Sequence, residues 1–222
     1  MRQQVQHPWD LPPAEARDLQ TRLAKRLILE NRIKKIQYVG GVDIGLGRDT
    51  ARAAVVVLAF PDLTLVDSAV IEVKISYPYV PGLLTFREGP AVLEALSSIK
   101  TVPDVLIFDG QGIAHPRRMG IASHLGVITG LATIGCAKTR LFGDYQEPPL
   151  EKGAHSLLYD GRDIIGAVVR TRTGVKPVFV SPGHRVDRQT SIDIVMTCCP
   201  RYRLPETIRL AHHLASGKTE RL

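Results

Sequence analysis

The stretch YVGGVDIGLGRDTARAAVVVLAFPDLTLVDSAVIEVKI, residues 38–75, decides the fold. It contains three extended segments. Residues 38–47 are rich in β-branched side chains and glycine, residues 51–60 are almost continuously apolar, and residues 63–75 alternate apolar with polar. An unbroken apolar run suits a central strand covered on both faces, and alternation suits a half-exposed one. The connections, around GRD and PD, are short and turn-like. Three strands this close predict a hairpin meander.

The pattern then changes. Residues 77–90, YPYVPGLLTFREGP, read as an ordered loop, with Pro90 in the first turn of a helix continued by AVLEALSSI. A strand VLIF (105–108) runs into Asp109-Gly110, and a glycine-rich loop leads to a helical stretch near 120–130. LATIGCAK (131–138) reads as another buried strand, residues 142–163 as a polar surface excursion, and IIGAVVRT and KPVFVSP as two more strands. Helical spacing recurs over 188–199 and 203–218, the second after Pro205. It also runs over 14–35 after Pro12-Pro13, through Leu19, Leu23, Leu27 and Ile28. There is no internal repeat and no linker. The expectation is one α/β domain over 1–222, with a mixed central sheet, three consecutive N-terminal strands and flanking helices.

With a net charge of +7 on 222 residues, the chain favours a polyanionic partner such as nucleic acid or an anionic membrane, against the plainer reading of an unspecialised basic surface. Three cysteines, two of them adjacent, form neither a disulfide framework nor a zinc pair. The polar opening MRQQVQHPWDLPPAEARDLQ lacks the apolar core of a signal peptide, and no apolar run approaches the roughly 20 residues of a membrane span. A reducing cytoplasm is expected.

Two strands carry the same oddity. Asp43 lies inside the apolar VGGVDIG, and Asp109 ends VLIFD. A buried ionised carboxylate must be paired, hydrogen-bonded or metal-bound. The sequence offers no obvious buried cationic partner, and spacing alone leaves structural carboxylates and a metal site both open. Magnesium accepts two or three carboxylates with retained water. Glu88, expected in a loop beside a helix start, is the candidate third, against the alternative of an exposed first-turn Glu favoured by the helix dipole. Lys138 ends a strand and reads as an edge residue or a phosphate contact. His212 and His213 point about 100° apart on a helix, so one of them can face a site. His115-Pro116-Arg117-Arg118 reads as a plain basic loop or as a phosphate-proximal one. Tyr79, between Pro78 and Pro81, is an aromatic on a stiff loop; it either packs back on the fold or wedges between bases.

Taken together, GGVDIG, PYVPGLLTFRE, DGQGIAHPRRMGIASHLG, TIGCAK, SPGHR and YRLPETIRLAH resemble endonuclease V, the repair nuclease acting at deoxyinosine, in the family's order from about residue 15 to about 215. The resemblance implies a ribonuclease H-like fold and metal binding by Asp43, Glu88 and Asp109, with Mg²⁺ as cofactor and Mn²⁺ as substitute. It implies catalytic roles for these three, for Lys138 and for His212, at a position where other members can carry Asp. Tyr79 matches the wedge tyrosine of a block usually read PYIP, Val80 being a departure. Pro78, Val80, Pro81, Gly82 and Leu84 are then substrate-binding, as are Gly110, Gly112, His115, Gly120 and Ile121, and the two loop glycines let the backbone approach the substrate. The implied partner is DNA containing deoxyinosine, cut at the second phosphodiester 3′ to the lesion to leave 3′-hydroxyl and 5′-phosphate ends, by a monomer. Inosine-containing RNA stays open as a further substrate. A general ribonuclease H-type or structure-specific nuclease would use the same carboxylates without needing inosine; the PYVP block and glycine pocket weigh against it. The intact carboxylates weigh against a third reading, a non-enzymatic basic nucleic-acid-binding module.

Overall fold

The computed structural model describes residues 3–217. After an N-terminal helix α1 (Pro13–Ala24), the strands β1 (Tyr38–Leu46), β2 (Thr50–Ala59) and β3 (Leu65–Lys74) form the expected antiparallel meander. Helix α2 (Leu84–Ser98) leads to β4 (Val105–Phe108), and α3 (Ile121–Thr129) to β5 (Ala132–Ala137). Both of these strands join in parallel, β4 beside β1 and β5 beside β4. An antiparallel set follows: β6 (Asp144–Tyr145), β7 (His155–Asp160), β8 (Asp163–Val169) and β9 (Val178–His184). Among the described residues the nine strands run β3-β2-β1-β4-β5-β9-β8-β7-β6, and α4 (Arg188–Thr197) and α5 (Glu206–Ala215) follow the last of them.

The apolar run of β2 is explained by cover on both faces. Val55 and Val57 pack with Ala91, Val92 and Leu96 of α2, whereas Ala54 and Val56 pack with Ala211 and Ala215 of α5. β3 is an edge strand and keeps an alternating pattern. No helix among the described residues is long and apolar enough to cross a membrane.

Three sequence expectations need correction, and one reaches beyond the described residues. The helix expected over 14–35 stops at Ala24, because the next residues bind elsewhere: Ile28 N–H donates to His184 Nδ1 (3.3 Å), Arg185 N–H to Ile28 O (2.6 Å) and Arg32 N–H to Arg185 O (3.0 Å). Helix α2 begins six residues before Pro90, which sits inside it. The burial of Thr85, Phe86, Glu88 and Gly89 on its inner face outweighs the backbone bond that proline forfeits. The 142–163 excursion supplies β6 and β7 and widens the sheet. Its polarity concealed a brace: buried Arg170 donates to the carbonyls of Pro148 (2.8 Å), Pro149 (3.0 Å) and Val175 (2.7 Å) and to Glu147 Oε1 (2.8 Å). Of the helix expected over 203–218, Lys218 lies outside the described residues.

Candidate active site

Strand register builds the site. The parallel pairing of β1 with β4 sets Val42 opposite Phe108, and Asp109 N–H donates to Val42 O at 3.1 Å. Asp43 and Asp109 therefore leave neighbouring strands side by side, about 4.8 Å apart at the backbone. Both carboxylates are largely buried.

The glycines of GGVDIG serve helix docking. A Cβ on Gly41 would lie 2.2 Å from Thr207 O, and one on Gly45 2.7 Å from Ala215 O. By strand alternation Gly41, Asp43 and Gly45 share a face, so α5 lies close across Asp43. His212 is the histidine that meets it, Nδ1 to Oδ2 at 2.7 Å. Gly41→Ala should force α5 outward and cost about 1–3 kcal/mol through overpacking. A melting curve checks this: a drop of several degrees is expected, at roughly 2–4 °C per kcal/mol for a chain this size.

Asp109 also has a cationic partner. Lys138 Nζ donates to Asp109 Oδ2, and the Lys138 carbonyl is held by Arg203 Nη2 at 2.7 Å. The expected lack of a cationic partner is thus wrong for Asp109, and His212 fills that place for Asp43 when protonated. Burial still pushes the Asp109 carboxyl above the usual range, against the pull of Lys138. Glu88 lies on α2 and not in a loop, and it is 6% exposed, so it is no surface first-turn residue. Burial first, and then the Asp43 charge, raise its pKa to about 8. Its carboxylate accepts no hydrogen bond among the described residues.

Three carboxylates with two of them pushed toward protonation are a donor set that a divalent cation would satisfy. Among the described residues, no group of three or more His, Cys, Asp and Glu side chains is already gathered as a metal centre. Lys138 bonds the Asp109 carboxylate and His212 the Asp43 carboxylate.

Beside Asp109 opens a cavity of about 360 Å³, within the range of small-molecule pockets. Asp109, Gly110, Gln111, Lys138 and Thr139 form one side. Tyr79, Val80, Pro81, Gly82, Leu84 and Thr85 form another, and His115, Met119, Gly120 and Ile121 a third. Tyr79 is 68% exposed at the rim. His115 is buried and its pKa is lowered to about 4, chiefly by that burial, so its imidazole is neutral. Pro78 and Gly112 do not line the cavity. Gly112 instead lets its loop press on β9, where a Cβ would lie 2.1 Å from Pro182 O. Thr85, Gln111, Met119, Ala137, Thr139, Arg140 and Leu141 line it without having been expected. Thr85, Gln111, Thr139 and Arg140 each follow an expected site residue within two positions, and Met119 and Ala137 each directly precede one; Leu141 carried no signal.

A family model of endonuclease V matches residues 21–213. An endonuclease V of Roseiflexus sp. (strain RS-1) is 54% identical over 216 residues, covering 97% of each chain. The chain belongs to the endonuclease V family. Membership makes it a nuclease, and its mixed sheet is the expected ribonuclease H-like fold. The crystal structure of endonuclease V from Streptomyces avermitilis superposes with a TM-score of 0.91 at 43% identity, covering 96% of this chain and 95% of that one. Endonuclease V of Ciona intestinalis, solved with a 24mer DNA containing an inosine followed by a ribo-adenosine, superposes at 0.80 with 30% identity over 92% of this chain and 96% of its own.

Proposed function

We propose that this endonuclease V is a metal-dependent DNA-repair enzyme that recognises deoxyinosine and hydrolyses the second phosphodiester 3′ to it, leaving 3′-hydroxyl and 5′-phosphate. One observation carries the reading: a base-sized cavity, most of whose wall belongs to residues 79–85 and 115–121, opens directly onto Asp109 and Lys138. The DNA-bound Ciona relative supports inosine as the occupant.

Asp43, Asp109 and Glu88 would hold Mg²⁺, with Mn²⁺ as substitute. The ion supplies Lewis-acid stabilisation of the cleaved phosphate and a water of lowered pKa. Lys138 supplies a compact positive charge to the phosphate, on the boundary between the carboxylates and the cavity. His212 orients Asp43. The lesion base is turned out into the cavity, and flipping costs least for a weakly paired base. Hypoxanthine lacks the exocyclic amine of guanine, and a close wall excludes that amine by clash. Inosine-containing RNA is a second substrate class for the same pocket. The enzyme acts as a monomer in the cytoplasm, and its three buried free thiols suit that reducing compartment.

Tyr79 stands at the rim of the pocket with its side chain largely exposed, as a wedge must. Tyr79→Ala should weaken binding to inosine-containing duplex by about one to two orders of magnitude, since stacking is worth roughly 1–3 kcal/mol per base. Binding to ordinary duplex, which rests on phosphate charge, should change little. Paired affinities and a melting curve check this. An equal fall for both duplexes with reduced stability would make Tyr79 a loop anchor.

The function itself is tested with matched strands, with and without one inosine, as DNA and as RNA, in Mg²⁺ and in EDTA. Cleavage restricted to inosine strands in Mg²⁺ is expected. Cleavage of all strands would favour a general ribonuclease H-type nuclease, and binding without cleavage would reject the enzyme.

A further inference from the structure

Three side chains converge on the carbonyl oxygen of Gly82. Gln20 Nε2 donates to it at 3.1 Å, His115 Nε2 at 3.1 Å and Arg117 Nη2 at 2.8 Å. Gln20 belongs to α1 and is fully buried, between apolar neighbours Ala16 and Leu23 on the same helix. The same Nε2 donates to Met119 O at 3.2 Å, and its Oε1 accepts from Arg117 Nε at 2.7 Å. One amide from outside the cavity therefore ties together two of its walls, the turn at Gly82 and the loop ending at Met119.

That turn needs tying. Leu83 N–H closes it onto Val80 O at 2.9 Å, with Pro81 second and Gly82 third at φ +76°. This is the residue pattern of a type II turn. Glycine there can rotate its peptide with little steric resistance. Three donors on one carbonyl remove that freedom. A second bond orders the donors themselves: Arg117 N–H donates to His115 Nδ1 at 3.2 Å, which leaves Nε2 of the neutral ring as the one that carries the proton.

We infer that Gln20 is a positioning residue for base selection, holding the Gly82 and Met119 walls at the separation that admits hypoxanthine and refuses guanine. The inference rests on the function proposed above. The two bases share O6, N7 and N1–H, so discrimination depends on a wall that does not yield to one exocyclic amine. Gln20 touches no substrate; it acts through the peptide units that do.

The test is Gln20→Met, close in volume and without hydrogen bonds. The kcat and KM are measured on duplexes carrying deoxyinosine or deoxyguanosine at one position, in Mg²⁺, beside a melting curve. The ratio of kcat/KM for inosine over guanine should fall by roughly tenfold or more, mainly through KM, because Asp43, Asp109 and Lys138 are untouched. A residue that served only the fold would lower both rates by one factor, and an unchanged ratio overturns the inference. Arg117→Met, on a half-exposed loop, removes two bonds of the same network and should shift the ratio in the same direction. It decides the matter if Gln20→Met does not fold, and an unchanged ratio there is equally fatal. Wild-type enzyme without any inosine preference would instead defeat the proposed function, and the role of Gln20 with it.

Discussion

Asp109→Asn is expected to lower the single-turnover cleavage rate of inosine-containing DNA by about three orders of magnitude or more, with Asp43→Asn close behind. Losing one of the proposed metal ligands would remove several kcal/mol of transition-state stabilisation, and each 1.36 kcal/mol is tenfold. Binding should survive. Asp109 lines only one edge of the cavity, and most of its wall belongs to residues 79–85 and 115–121. Stability should also change little. Removing a repelled carboxylate would stabilise the metal-free protein, but Lys138 already answers the Asp109 charge. Asparagine keeps the shape and leaves a lysine with side-chain exposure of 40%, which water can solvate. Rates in Mg²⁺, affinity in EDTA and a melting curve separate these effects. Near-normal turnover in either variant would remove the carboxylates from the chemistry.

Lys138→Ala should slow the chemical step by about 10²–10³, the usual cost of removing one group that stabilises developing charge. Affinity should barely move, because Lys138 is one of 29 Lys and Arg residues in a chain of net charge +7. Its location is the reason for the difference. Lys138 directly follows β5 and lines the cavity beside Asp109, and Arg203 holds its carbonyl there. Single-turnover rates set against binding curves give the partition. A loss confined to affinity would make Lys138 an ordinary phosphate contact.

The meander over 38–75 was legible because each strand's pattern reports its own cover: both faces for β2, one for the edge strand β3. Asp43 and Asp109 stood out singly, as carboxylates in apolar runs. Their adjacency was not legible, since it depends on β1 pairing with β4 across 60 intervening residues or more. Glu88 was found as a candidate but placed in a loop, because Pro90 marks helix starts more often than helix interiors. Nothing local revealed that the glycines flanking Asp43 admit a helix 160 residues later. Gln20 was invisible for a similar reason. A lone polar residue on the apolar face of a helix shows that it needs partners and not which backbone supplies them. β6 and β7 were missed because the buried arginine that braces their segment lies in β8's outgoing chain, away from the polar residues it holds.

The most direct measurement is the position of the cut on an end-labelled duplex with a single deoxyinosine, in Mg²⁺. On the proposed function the base enters the cavity that Asp109 and Lys138 line, so the protein itself would fix the distance between lesion and cut. The account predicts one product, ending at the second phosphodiester 3′ to the inosine with a 3′-hydroxyl, wherever the inosine is moved along the strand. Cuts scattered along the duplex, or fixed by sequence while the inosine moves, would contradict it.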